Sequence, residues 1–358
     1  MDDISALWCW RLMGDPPERV RAGKRLPVES GGLLGTPSSR EELCAETATA
    51  KEELERVAPG IGVALGWGLG NAAIFTEDGE RDGRWRFAVS ERRTYCERAE
   101  DVFTLCRQPY PAGAFVQVTE HVCLPVPAML VVQMARELSL EETILIGDEL
   151  CGTYTMRVDG GGRPVRRGHP LTTPRGIAEM AERAGRMRGA PQARRAAKYV
   201  VGGAASVREA ALEMMMCLPR GMGGYGLERP VMNYEVSVPA RVAERAGCPE
   251  RRAAVLDLAW PEERVDVEYD GAEWHEMQAG EGDWPRTRAL EMLGWRVARF
   301  DYRAFEQQGL LDACIRDVAE LLGARLRVPS DEGNVRRQEL FWRLTHLGER
   351  GVFRDYGG

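Results

Sequence analysis

The chain has 358 residues, 44% hydrophobic and 29% charged, with a net charge of −7. That composition supplies a core and excludes a wholly disordered chain, and at ~150 residues per domain the length implies two domains or three. No apolar run approaches ~18 residues, and the opening MDDISALWCW lacks a basic stretch followed by an apolar one, so neither a membrane-spanning nor a secreted protein is expected. The nine cysteines are scattered and never form C-x-x-C pairs. They read as reduced thiols of a cytoplasmic protein, not as a disulfide framework or a cysteine zinc site.

Residues 1–45 read as weakly structured, with Pro16-Pro17 and the stretch SGGLLGTPSSR. Residues 46–160 read as an α+β domain. Thr47–Val57 is helical in character, and RWRFAVS (84–90) and FVQVTEHVC (115–123) read as strands. Val126–Leu138 and Leu140–Leu150 read as helices, and the region shows no catalytic constellation. Residues 161–205 form a basic linker and helix. From Gly161 to Val200, ten arginines and lysines face only Glu179 and Glu182, so this stretch carries +8 and the rest of the chain −15. Arg183, Arg186, Arg194 and Arg195 are the candidate contacts to a polyanion there; the alternative is a merely solvated face.

Residues 206–326 carry the chemistry. Val207, Ala210, Ala211, Met214, Met215 and Leu218 recur at helical spacing, ended by Pro219. PVMNYEVSV (230–238) reads as a strand, and AAVLDLAW (253–260) and RVDVEYD (264–270) as two more joined by the turn PEER. Thr287–Leu293 reads as a helix capped by Gly294, Trp295–Tyr302 as a fourth strand, and Leu310–Leu322 as an amphipathic helix. The order is αβββαβα. Residues 327–358 read as a mostly polar tail, with one short helix through Leu340, Phe341 and Leu344 that either packs or does not.

Alternation puts Asp266, Glu268 and Asp270 on one face of a strand, an arrangement rarely chosen for stability. Asp266 alone reads as a solvated strand residue. Asp257 lies in an otherwise apolar partner strand, where a short hairpin brings it beside Glu268. An acid there needs a compensating partner, and a hard cation supplies one. Oxygen-only donors favour Mg²⁺ or Mn²⁺ over zinc, with Asp257 and Glu268 as the metal ligands. His275, five residues after Asp270, is placed to act as general base or to steer water.

DLAWPEERVDVEYDGAEWHE, followed by DWPRTRALEMLGWRVARFDY, resembles the very-short-patch-repair-like endonuclease domains of the PD-(D/E)XK, restriction-endonuclease-like superfamily. The resemblance covers roughly Ser206 to Leu322. It implies an α/β fold with a three-layer αβα core around a mixed four-stranded sheet, and metal-dependent DNA cleavage. Asp257 matches the motif aspartate and Glu268 the acid on the next strand. Asp270, Gly271 and His275 match a D-G-x-x-H element with one extra residue. Glu209 matches the glutamate on the preceding helix, where it also completes a capping-box pattern with Ser206. Arg286 and Arg288 match basic residues that contact phosphate. The superfamily's lysine is replaced by Asp270, and no lysine follows Lys198; the very-short-patch-repair branch is similar in using histidine instead.

A second resemblance covers about Val102 to Tyr154, where VFTLCRQPYPAGAFVQVTEHVCLPVPAMLVVQMA and GDELCGTY are similar to regulatory domains of AbiE-type antitoxins. It implies binding to DNA or to a protein partner. Together these readings describe a cytoplasmic Mg²⁺- or Mn²⁺-dependent DNA endonuclease in phage defence or DNA repair, with DNA and a toxin or defence-system protein as partners and no membrane. The alternative is a DNA-binding transcriptional regulator or antitoxin-like protein whose nuclease fold is catalytically degenerate.

Overall fold

A computed structural model describes residues 3–13, 40–58, 85–89, 101–105, 110–119, 122–158, 164–270 and 283–346. The protein is mixed α/β, with eleven α-helices and a four-stranded mixed sheet among the described residues. It divides into two compact units, one within Met1–Gly202 and the other Gly203–His346. No described helix is long and apolar enough to cross a membrane.

The first unit begins with α1 (Asp3–Met13) and α2 (Arg40–Val57). A parallel pair β1 (Trp85–Val89) and β2 (Asp101–Leu105) follows, then an antiparallel pair β3 (Phe115–Gln117) and β4 (Cys123–Pro125). Next come α3 (Pro127–Met134), α4 (Leu140–Cys151), the hairpin β5 (Tyr154–Val158) and β6 (Pro164–Arg166), α5 (Pro174–Arg183) and α6 (Ala190–Ala196). The opening residues differ from expectation, because α1 buries Ala6, Leu7, Cys9 and Trp10. Its Arg11 is fully buried and donates from Nε and Nη2 to the two carboxylate oxygens of Glu149, 2.8 Å each. Arg167 adds a second guanidinium, donating to the Glu149 carbonyl at 2.9 Å. A buried carboxylate is tolerated because bidentate and charge-assisted bonds replace its water; these arginines hold the Glu149 carboxyl below its usual range against the opposing effect of burial.

The strand expected over 115–123 is two short strands, paired Phe115↔Pro125. Helix α3 is buried at every position, which explains why its apolar run shows little sidedness. Helix α4 starts at a full capping box, Ser139 with Glu142. The arginine-rich block is two helices rather than one, α5 being capped by Thr173.

The second unit runs α7 (Val207–Cys217), β7 (Val231–Ser237), α8 (Ala240–Ala246), β8 (Ala253–Trp260), β9 (Val265–Asp270), α9 (Asp283–Met292), β10 (Arg296–Asp301), α10 (Gln308–Leu321) and α11 (Asp331–Thr345). The sheet order is β10-β9-β8-β7. Strands β7, β8 and β9 form an antiparallel meander, and β10 joins β9 in parallel. The four-residue turn between β8 and β9 permits only a hairpin, whereas the parallel partner needs a crossover, which α9 provides. Gly294 at φ +84 ends α9, the left-handed position that glycine adopts without steric cost. Val238, Ala254, Leu256, Ala289, Leu290 and Trp295 form the core between this sheet and helices α8 and α9.

Helix α8 is absent from the expected order. Of the two alternatives for the tail helix, the packed one is found: α11 buries Leu340 and Leu344 within this unit, and Arg337 lies over the Tyr225 ring at 3.8 Å.

Candidate functional site

Asp257 sits where β8 is paired on neither side. The β7–β8 ladder runs Val231↔Ala259 and Met232↔Leu258, skips one position, and resumes at Tyr234↔Leu256. The β8–β9 ladder begins at Trp260↔Val265 and stops at Leu258↔Val267. One step further, that register would put Asp257 opposite Glu268, but no ladder pair is formed there. The Asp257 side chain takes the next backbone donor itself: Oδ2 accepts the Tyr269 amide at 3.1 Å. The ladder thus has a gap at Asp257, where a carboxylate takes a backbone donor.

Glu268 lies between Asp257 on one neighbouring strand and Arg299 on the other, through the parallel register Arg299↔Glu268. Arg299 is 3.4 Å from both Glu268 Oε2 and Asp270 Oδ2, and donates to Thr287 Oγ1 at 2.8 Å. Arg286, at the start of α9, donates to Glu268 Oε1 and to the Val255 carbonyl. Two guanidiniums therefore converge on one carboxylate. Arg286, expected as a phosphate contact, is in this structure a partner of Glu268; Arg288 is exposed.

Asp266 corrects the expectation of a solvated residue. It is 0% exposed, and neither carboxylate oxygen accepts a hydrogen bond. Burial, then the charge of Glu268 and a side-chain hydrogen bond with it, and then the charge of Asp257, push its carboxyl up to about 9. Asp257 is pushed up to about 7, chiefly by burial and next by the charge of Glu209, with Glu268 adding to it. Both shifts favour the protonated, neutral carboxyl: burial penalises the charged form, and neighbouring carboxylates penalise it further.

Glu209 comes from the first turn of α7 and is 6% exposed. Only half of the expected capping box forms. Ser206 Oγ accepts the Glu209 amide at 3.1 Å, but the Glu209 carboxylate reaches back to Ala205, accepting that amide on Oε2 at 2.9 Å. The same Oε2 accepts Asn233 Nδ2 at 2.9 Å. Asn233 was not a candidate in the sequence. Its one visible signal is an asparagine within a strand, where that residue is depleted.

Glu209 and Glu268 thus act electrostatically on Asp257, and Glu268 and Asp257 on Asp266. Asp270 is bound to Arg299, while Gly271 and His275 lie outside the described residues. Oxygen donors of this kind are those that a hard divalent cation takes. Among the described residues, no three Asp, Glu, His or Cys side chains converge as a finished ligand set, and Glu268 is taken up by guanidiniums instead.

In the first unit the basic block splits in two. Arg183 donates to the Ala112 carbonyl, and Arg194 to the carbonyls of Ala181 and Gly185, each at 3.0 Å. Arg186 and Arg195 are exposed. No protein-family model, curated protein or solved structure matches the chain.

Proposed function

We propose that the second unit is a Mg²⁺- or Mn²⁺-dependent DNA endonuclease with a restriction-endonuclease-like, three-layer αβα core. The observation that carries the reading is the crowding of carboxyls at the gap in the ladder: Asp266 fully buried beside Glu268, and Asp257 pushed up by burial and by Glu209 and Glu268. The antiparallel meander with one added parallel strand supports it, being a mixed four-stranded sheet of the kind that the resemblance implies. Asp257 and Glu268 would hold the cation. Bound there, it would neutralise charge on the scissile phosphodiester and acidify an attacking water.

The chain's own residues supply the rest. Arg288 would offer its guanidinium to phosphate oxygens, and Arg286 and Arg299 would do so once a cation replaced them on Glu268. Glu209 and Asp270 add acceptors beside the paired strands. His275 takes the proton from water as general base. In the first unit, Arg186 and Arg195 grip the DNA backbone, and the unit acts as a regulatory module, binding DNA or a toxin or defence-system protein in the cytoplasm.

A second reading is a DNA-binding regulator with a degenerate nuclease fold. It is favoured by Asp270 standing where the resemblance expects lysine and by the two arginines already on Glu268. Calorimetric titration of Mn²⁺, run beside plasmid cleavage, separates the two. The nuclease reading expects binding and chelator-sensitive cleavage in the wild type. Asp257→Ala should lose both, and Glu268→Gln should lose cleavage while the fold is kept. No Mn²⁺ binding in the wild type, or undiminished cleavage in both variants, overturns it in favour of the regulator.

A further inference from the structure

The skipped position in the β7–β8 ladder is Asn233, directly across from Asp257. Its φ is +50, a left-handed value in the middle of a strand that otherwise continues on both sides. Non-glycine residues seldom adopt that conformation, and asparagine is among the few that tolerate it. Backbone strain of this kind persists only where the surroundings hold it. Here they do: Nδ2 donates to the Gly203 carbonyl and to Glu209 Oε2, both at 2.9 Å. With the Ala205 amide on the same atom, Glu209 Oε2 is saturated, and Oε1 accepts no hydrogen bond from a described residue. The same backbone excursion removes the pairing that would have closed β7 against Asp257.

We propose that Asn233 is a positioning residue of the acidic site: its side-chain amide fixes Glu209 with one oxygen free, and its turned backbone keeps Asp257 out of the ladder. The inference rests on the nuclease reading and names a residue which that reading does not require. Two things follow from one residue. The amide is a donor that no carboxylate could replace, and the backbone conformation is one that glycine or aspartate can also adopt.

That difference sets the test. Asn233→Gly keeps the turned backbone and loses the donor. Asn233→Asp keeps the backbone and shape but puts a carboxylate against Glu209. Both variants suit φ +50, so neither should unfold the unit, and melting curves check this. The full-length chain is titrated with Mn²⁺ and assayed for plasmid cleavage.

If Asn233 positions Glu209, Asn233→Gly lowers kcat at least ~10-fold with KM for DNA unchanged, and Asn233→Asp lowers it further. Both weaken Mn²⁺ binding. In a Glu209→Gln background Asn233→Gly adds no further loss, because the group it acts through has already changed. If the residue serves the backbone alone, both variants cleave and bind Mn²⁺ like the wild type, or the Glu209→Gln and Asn233→Gly losses multiply. Either result overturns the inference and leaves the nuclease reading standing. A wild type that neither binds Mn²⁺ nor cleaves overturns both together. A wild type that binds but does not cleave overturns the nuclease reading, and the ordering of Mn²⁺ affinities then decides for Asn233.

Discussion

Asp266→Asn tests the charge imbalance directly, without assuming any reaction. In the folded chain the Asp266 carboxyl is pushed up to about 9 by burial and by Glu268, while the unfolded chain releases that proton near the ordinary carboxylate value of 3.8. Between those values the folded state holds one more proton than the unfolded state, so stability falls as pH rises through the window. The favourable side is acid, and the loss is complete only above about 9. Asp257 is pushed up to about 7 in the same way. The two neighbouring carboxyls lose their protons as a pair, and the later loss, between pH 7 and pH 9, is the one that Asp266→Asn removes. One proton changes stability by ~1.4 kcal/mol per pH unit, which sets a ceiling of ~3 kcal/mol over that interval. For a unit of this size that is a melting-temperature fall of up to ~8 °C. Thermal melts followed by circular dichroism in a chelating buffer should show this fall in the wild type. The Asp266→Asn variant has no proton to lose at that position and should be flat from pH 7 to pH 9. Saturating Mn²⁺ should flatten the wild type also. An equal fall in both proteins, or none in the wild type, would refute the assignment of the imbalance to Asp266.

Two further predictions concern the first unit. Arg11→Met leaves Glu149 fully buried with its bidentate partner gone and should cost ~3–5 kcal/mol; adding Glu149→Gln should recover part of the loss, and a melt unchanged from wild type would show the pair contributes nothing. Replacing Arg186 and Arg195 by alanine should reduce the log–log salt dependence of DNA binding by about 2 and leave stability alone. Replacing Arg183 and Arg194, which are tied to backbone carbonyls, should lower the melting temperature and leave that slope nearly unchanged; the reverse pattern would refute the division.

The parts of the fold that were legible are those where local pattern and tertiary outcome agree. The β8–β9 hairpin follows from alternation and a short turn, and its β8 boundaries coincide with the expected ones. Helix α9 ends at the glycine that signals its end. Helix α8 was hidden because Pro239 at its N-cap and Gly247 after it read as a loop around seven residues, too few for periodicity to register. Helix α1 was masked by the prolines that follow it, since its stability comes from distant partners such as Glu149 rather than from propensity. At the site, Asp257 and Glu268 were visible as acids in an apolar hairpin. Arg299 was not, because only the parallel register of β10 on β9 puts it beside Glu268. The burial of Asp266 was equally invisible, since alternation places a side chain on a face without telling what covers that face. The turned backbone of Asn233 has no counterpart in hydrophobic pattern.

The parallel seating of β10 also bears on the order in which the second unit can assemble. The meander from β7 to β9 is local in the chain, with α8 between its first two strands and a four-residue turn between the last two, which ordinarily makes it the first sheet element to form. Here that meander gathers Asp257, Asp266, Glu268 and Asp270 before either neutralising guanidinium has arrived, because Arg286 belongs to the crossover helix and Arg299 to the strand after it. Like charges held together on paired strands repel until the crossover is complete. The rapidly formed local sheet is therefore self-repelling, and the non-local strand makes it durable. The entropy of closing the crossover must be met before the acids are relieved, so destabilising substitutions in β10 should slow folding of this unit as well as speed its unfolding.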